Sequence, residues 1–266
     1  EEVYRDTFKQ FVARIPRHGL LVYCFDNRDI VEVSKSALAA THSYGFVADA
    51  EYQIVNWEAL SEGATRQRFE VLYQDESLGV YELILAGRHN AQNATAVIAL
   101  LHELGMDSSA VREAVKTFVG TERRFEFLGE RFGALIYDDY AHHPEEIRTT
   151  LRSFKELFPN RQLKAVFHPH TFTRTKALLA EFAQSFDDAD SVIVLPIYGS
   201  AREEQGGVSS EDLVQGNNRF KAGKGDGGES IEEVTEELEE GMGRNDLIVT
   251  LGAGNVWEIS HALAKK

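Results

Sequence analysis

The 266-residue sequence predicts an α/β protein of two domains, the second built on a mostly parallel sheet. Three observations carry this. After Gly120, short apolar runs at 134–137, 164–167, 191–195 and 247–251 alternate with amphipathic helical stretches. Those runs lack polar alternation, as strands covered on both faces do. Between Tyr52 and Leu85, by contrast, apolar and polar residues alternate, the mark of antiparallel strands. The change of rhythm sets a domain boundary near Thr121, giving domains 1–121 and 122–266.

The elements follow in order. Phe8, Phe11, Val12 and Ile15 share one helical face over 4–15, which stops at Pro16. Residues 20–25 form an apolar run closed by Asp26-Asn27 and read as a buried strand; 29–40 is helical and 42–46 a short strand. Segments 67–73 and 79–85 pair as a hairpin around Asp75-Glu76-Ser77. Helices over 90–104 and 108–118 end at Gly105 and Gly120, with Ser108 as N-cap of the second.

In the second domain the strand at 134–137 leads through 138–143 into a helix over 144–158. Pro144 suits its first position, and Glu145 and Glu146 the positive end of its dipole. The strand at 164–167 feeds a loop and a helix through Phe186, and the strand at 191–195 leads to a polar stretch at 200–207. The strand at 247–251 runs into Gly252-Ala253-Gly254-Asn255 and a last helix. Residues 216–228 read as a surface loop. Ile231, Val234 and Leu238 keep an apolar stripe through the Glu-rich run 229–240, so its charges form the solvated face of a helix.

A net charge of −15, with both halves acidic, argues against nucleic-acid and anionic-membrane partners. A single cysteine, Cys24, excludes an internal disulfide and suits a reducing cytoplasm. No apolar run reaches the ~20 residues of a membrane span. The sequence opens on Glu1-Glu2-Val3, without an initiator methionine.

In open α/β sheets ligands sit at the carboxyl ends of strands, and three loops there are rich in polar groups. These are Asp138-Asp139-Tyr140-Ala141-His142-His143, then His168-Pro169-His170-Thr171-Phe172-Thr173-Arg174, then Gly252-Ala253-Gly254-Asn255. The glycine turn either meets an anion through free N–H groups or only lets strand and helix approach closely. The histidines and aspartates also allow a metal site, and with it a metal-dependent phosphohydrolase. In the first domain Asn90 and Asn93 share a helix face; one either caps the helix or the pair reads an adenine edge. Arg123-Arg124 at the domain joint suits phosphate or an interdomain salt bridge.

Taken together, the strings Gly87-Arg88-His89-Asn90-x-x-Asn93-Ala94, Phe118-x-Gly120-x-x-Arg123-Arg124-Phe125 and Asp138-Asp139-Tyr140-Ala141-His142-His143-Pro144 resemble the Mur ligase family in order and spacing. The string from Phe167 to Thr175, with Ile197-Tyr198 and Ala201-Arg202-Glu203, is similar to the branch that joins L-alanine to UDP-N-acetylmuramate. The resemblance implies the latter part of a central ATP-binding domain followed by a Rossmann-like C-terminal domain. It implies ATP-dependent ligation through an acyl phosphate, with ATP and Mg²⁺ as cofactors and a cytoplasmic place in peptidoglycan precursor synthesis. It implies contacts to ATP from His89, Asn90 and Asn93 on the adenine side, Arg124 on the phosphates and Asp139 on the ribose. His142 and Arg174 would hold the incoming amino acid, with Tyr140, His143 and His170 shaping that pocket. Arg88, Arg123, Arg124 and Arg174 would supply local positive charge. No G-x-x-x-x-G-K-[ST] occurs; Gly223-Lys224-Gly225 lacks its spacing. That motif, the main metal ligands and a UDP-sugar domain are expected before Glu1, and the chain alone is expected to be inactive. The alternatives are a murein-tripeptide recycling ligase of the same family, the phosphohydrolase, and a non-catalytic binding module.

Overall fold

Two sheets organise the computed structural model, which describes residues 2–60, 66–85, 87–200, 203, 206–220 and 225–265. The chain divides into two compact units, Glu1–Val119 and Gly120–Lys266.

The first unit contains α1 (Glu2–Val12), β1 (Leu20–Cys24), α2 (Arg28–Ser34), β2 (Ala40–Gly45), β3 (Tyr52–Leu60), β4 (Arg66–Tyr73), β5 (Glu76–Leu83), α3 (Arg88–Glu103) and α4 (Ser108–Thr117). The strands lie in the order β1-β2-β3-β4-β5, parallel from β1 to β3 and antiparallel from β3 to β5. Period-two spacing puts Tyr52 and Ile54, Phe69 and Val71, and Tyr81 and Leu83 on one face. Ala91, Ile98 and Ala99 of α3 and Val111 and Val115 of α4 close over that face.

The hairpin between β4 and β5 turns at Gln74-Asp75, both in the left-handed region, not at Asp75-Glu76-Ser77. A two-residue turn of that hand matches strand twist, so it wins over the longer polar loop. Asp107, not Ser108, caps α4: its carboxylate accepts from the N–H groups of Ser109 and Ala110. Either residue type suits a cap; the chain enters the helix one residue earlier. Helix α2 ends at Ser34, short of the expected residue 40.

The second unit contains β6 (Glu126–Arg131), β7 (Ala134–Asp139), α5 (Pro144–Leu157), β8 (Gln162–Phe167), α6 (Phe172–Ala177), α7 (Leu179–Ala183), β9 (Ser191–Val194), α8 (Ser210–Phe220), β10 (Gly225–Gly227), α9 (Ile231–Gly241), β11 (Asp246–Leu251) and α10 (Trp257–Lys265). Its sheet runs β10-β9-β8-β11-β7-β6, parallel throughout except for β6, which pairs antiparallel with β7. Helices cover both faces. Ile136, Val166 and Ile248 pack with Val234 and Leu238 of α9 and Ile259 and Leu263 of α10. On the other face Tyr137 meets Phe154 of α5 and Phe167 meets Phe182 and Phe186. Every residue of β7 and β11 is buried, which is why both read as unbroken apolar runs ending in small or polar residues.

The stretch expected as a loop at 216–228 holds the end of α8 and the short edge strand β10. Helix α8 is polar on most of its surface and buries Leu213 and Asn217, too sparse a stripe to stand out. Strand β10 is Gly-Asp-Gly and carries no apolar signal at all. Among the described residues, no helix is long and apolar enough to cross a membrane.

Candidate functional site

Parallel pairing brings the loops after β7, β8, β9 and β11 to one edge of the second sheet. The floor of this edge is a buried ion pair. Asp138 has no exposed surface, and its carboxylate accepts from Arg123 Nε at 2.7 Å and Thr250 Oγ1 at 2.5 Å. The same guanidinium donates to the carbonyls of Gly252 and Gly254 at 2.6 and 3.0 Å. Arg123 is therefore a clamp within the second unit, neither a phosphate ligand nor an interdomain bridge. Its backbone is left-handed (φ 59°), and the next residue, Arg124, is exposed with its guanidinium 5.3 Å from the centre of the Tyr140 ring. Of the arginine pair, Arg124 alone presents charge to solvent.

Asp139 is buried beside it. One carboxylate oxygen accepts from the Phe125 N–H, the other from the Ala141 N–H and the Thr150 hydroxyl. Burial pushes its pKa up to about 6, against the pull of those two N–H donors and of Arg124. Asp139, to which the resemblance gives the ribose, is thus buried with its carboxylate engaged by the protein's own donors.

The two histidines of this loop part company. His142 donates from Nδ1 to the Tyr140 carbonyl at 2.9 Å, because a carbonyl only accepts, and the same nitrogen lies 3.5 Å from the Glu146 carboxylate. His143 is the N-cap of α5: its Nδ1 accepts from the Glu145 N–H, while Glu146 reaches back to the His143 N–H. A histidine in a capping box is not legible from cap statistics, which favour Ser, Thr, Asp and Asn.

The loop after β8 carries Arg174 on α6. Its Nη1 is buried and has no hydrogen-bond partner among the described residues. His170 stacks on Tyr198 with ring centres 5.6 Å apart, and burial followed by the charges of Arg174 and His142 lowers its pKa. Arg174 and His142 thus each lie within electrostatic reach of His170. His168 is buried, its pKa lowered to about 4 chiefly by desolvation.

In the glycine turn the first N–H and two carbonyls are engaged by the protein itself. The Gly252 N–H donates to the Asp139 carbonyl, and both glycine carbonyls receive Arg123. A Cβ on Gly252 would lie 2.6 Å from the His168 carbonyl oxygen, and one on Gly254 2.9 Å from His168 Nδ1. These glycines serve close packing against the loop after β8. Among the described residues, no three His, Cys, Asp or Glu side chains gather as a metal-ligand set.

In the first unit α3 buries Ala91, Thr95, Ile98 and Ala99, which turns His89, Asn90 and Asn93 to the opposite face. Neither asparagine caps the helix: the N-cap is Gly87, with φ 94° and no side-chain bond. Asn93 is exposed. Arg88 lies 3.7 Å over the Phe46 ring and 5.3 Å from that of Trp57, so its charge is held against aromatic faces.

Tyr198 and Glu203 were quoted in the sequence but given no role. Both tie the loop after β9 to the loop after β8, a contact between segments 30 residues apart that only the parallel sheet reveals. Ala201 and Arg202 of the same string lie outside the described residues.

Residues 1–101 match the Mur ligase middle domain and 123–254 the Mur ligase glutamate ligase domain. A UDP-N-acetylmuramate–L-alanine ligase of Caldanaerobacter subterraneus subsp. tengcongensis is 38% identical over 96% of the chain and 55% of its own length. The UDP-N-acetylmuramate-alanine ligase of Thermotoga maritima superposes with a TM-score of 0.77 at 25% identity, covering 98% of this chain and 54% of that one. A murein peptide ligase of Psychrobacter arcticus 273-4 shares the fold at 22% identity, with a TM-score of 0.66 over 98% of this chain and 54% of its own. The chain spans about half the length of the curated relatives it matches. With two domains matched in this order and relatives of that likeness along nearly its whole length, the chain belongs to the Mur ligase family.

Proposed function

We propose that this chain is the part of an ATP-dependent ligase that joins L-alanine to UDP-N-acetylmuramate. In this reading residues 1–121 are the later part of the ATP-binding domain and 122–266 the domain that receives the amino acid. The observation that carries it is Arg174 in the loop after β8, a guanidinium whose buried Nη1 has no partner among the described residues. An unmet buried donor is costly, and a carboxylate is its natural complement. The alanine carboxylate fills that role, and His142, its Nδ1 engaged by the Tyr140 carbonyl, has Nε2 left to meet the alanine nitrogen.

The chemistry follows from the poor electrophilicity of a carboxylate. Transfer of the ATP γ-phosphoryl group to the lactyl carboxylate makes an acyl phosphate and ADP. The alanine amine then attacks the acyl carbon, the C–O bond to phosphate breaks, and inorganic phosphate leaves with formation of the amide. Positioning by Arg174, His142 and His170 is what the residues described here contribute. Arg124, exposed beside Tyr140, is the arginine available to phosphate, and Asn93, Asn90 and His89 form the face of α3 offered to adenine. Mg²⁺ would neutralise phosphate charge. The described residues supply no ligand set for it, and no step is assigned to it here.

The test is phosphate release by the intact gene product with ATP, UDP-N-acetylmuramate and L-alanine. Release that needs all three is expected; release with free murein tripeptide in place of L-alanine sinks the reading in favour of the recycling ligase. Within the same assay, Arg174→Ala should raise the KM for L-alanine by at least about tenfold and leave that for ATP within about twofold. Equal loss of both refutes the assignment of Arg174.

A further inference from the structure

Helix α6, which carries Arg174, is six residues long and starts badly on its own. Its N-cap residue Thr171 has φ 71° and makes no side-chain capping bond. The first N–H groups of a helix have no partner inside it and must find one elsewhere. Here they find Glu203, from the loop after β9. Its Oε2 accepts from the Thr173 N–H at 3.0 Å and the Thr173 hydroxyl at 2.9 Å, and its Oε1 from the Ser200 N–H at 2.8 Å. The same loop holds the residues before α6: Thr171 N–H donates to the Tyr198 carbonyl at 2.9 Å, and Tyr198 N–H to the Pro169 carbonyl at 2.8 Å.

Two features connect this strap to the amino-acid site. Arg174 has a buried Nη1 with no hydrogen-bond partner among the described residues, so that end of its guanidinium is placed through the helix backbone and not by a bond of its own. A carboxylate this near an arginine is also a potential competitor for it. With both oxygens taken by the Ser200 and Thr173 donors, Glu203 fixes the arginine's helix without claiming the arginine. The Ser200 N–H first, then the Thr173 N–H, hold its pKa down to about 2, so it is an anion throughout the working range of pH.

We infer that Glu203 is the positioning residue for Arg174: a helix cap supplied from a neighbouring loop, which sets the affinity for the incoming amino-acid carboxylate while leaving Arg174 free to bind it. This rests on the reading of Arg174 above. A cap built from a neighbouring loop makes the amino-acid site depend on Glu203 in the loop after β9, whose carboxylate is engaged by the Ser200 and Thr173 donors.

The experiment is a double-mutant cycle in the intact gene product, read as KM and kcat for L-alanine and KM for ATP. Glu203→Ala should raise the KM for L-alanine about five- to tenfold, with kcat at saturating L-alanine and the KM for ATP within about twofold. Glu203→Gln keeps one carbonyl acceptor and should fall between the two. On an Arg174→Ala background, Glu203→Ala should add nothing further. A large Arg174→Ala effect with none from either Glu203 variant overturns this inference alone, as do fully additive effects. An Arg174→Ala protein with unchanged amino-acid KM overturns the functional reading and this inference together. A loss in Glu203→Ala that excess L-alanine does not restore, with Glu203→Gln behaving as wild type, assigns Glu203 to stability and overturns the positioning role.

Discussion

Arg123 and Arg124 are adjacent, identical in type and opposite in use. Arg123 is the only basic side chain paired with the fully buried Asp138 among the described residues and also holds two carbonyls, so its removal leaves an uncompensated buried charge. Arg123→Ala should cost about 3–5 kcal/mol in denaturant unfolding, and Lys should not rescue it, because one ammonium cannot span three acceptors in a fork. Arg124→Ala should leave unfolding unchanged and weaken ATP binding. The reverse pattern would show the two side chains exchanged. His168 gives a test through pH. Its folded pKa of about 4 lies below the ordinary 6.5, so as pH falls the unfolded chain takes up the proton first. Stability from the neutral ring is complete above about pH 6.5 and is lost as pH falls towards 4, by about 3 kcal/mol in total. The fall in urea midpoint across that window should be shallower in His168→Asn; equal slopes would mean the buried ring does not drive it.

At the scale of elements, the turn after β11 and the loop after β8 are fitted to each other. Gly252 sits at φ 140° with its missing Cβ 2.6 Å from a backbone oxygen, whereas at Gly254, which has no positive φ, the nearest atom is His168 Nδ1 of a side chain, at 2.9 Å. Gly252→Ala should therefore destabilise more than Gly254→Ala, by about 1–3 kcal/mol for the former; equal thermal shifts would count against close packing as the reason for the glycines. The strands of this unit were legible because burial on both faces makes 134–137, 164–167 and 247–251 unbroken apolar runs. Strand β10 was not, since Gly-Asp-Gly at a sheet edge needs only backbone bonds. Chemistry-bearing residues were visible as types, and the structure puts Arg174 and His142 each within electrostatic reach of His170. What spacing could not separate was the job of each polar group. Asp139 and His143 look like ligand groups in the string, yet one accepts backbone N–H bonds in the core and the other caps α5. Glu203 was hidden for a related reason: the partner that ties it to α6, Thr173, is 30 residues away, and one of the donors it meets there is a backbone N–H, which every residue but proline has.

For the molecule as a whole, the two units make a sharp claim about where folding autonomy begins. Every strand of the second sheet and every helix on its faces comes from Gly120–Lys266, including both aromatic and aliphatic layers of its core. The 120–266 segment should therefore unfold cooperatively by itself. The useful comparison is with 125–266, which keeps every strand and helix of the unit and loses only the five residues before Phe125. Among them is Arg123, whose guanidinium neutralises Asp138 and binds the glycine turn while its carbonyl receives the Tyr140 N–H at 2.7 Å. If sheet and apolar layers alone define the domain, the two segments melt together. If the domain is closed by its buried ion pair, the shorter one loses the ~3–5 kcal/mol of a broken buried pair, a large share of the ~5–15 kcal/mol typical of a domain. The second outcome is expected, with the deficit restored when 120–266 is compared with its own Arg123→Ala variant. Equal melting would show that Arg123 follows the fold and does not hold it.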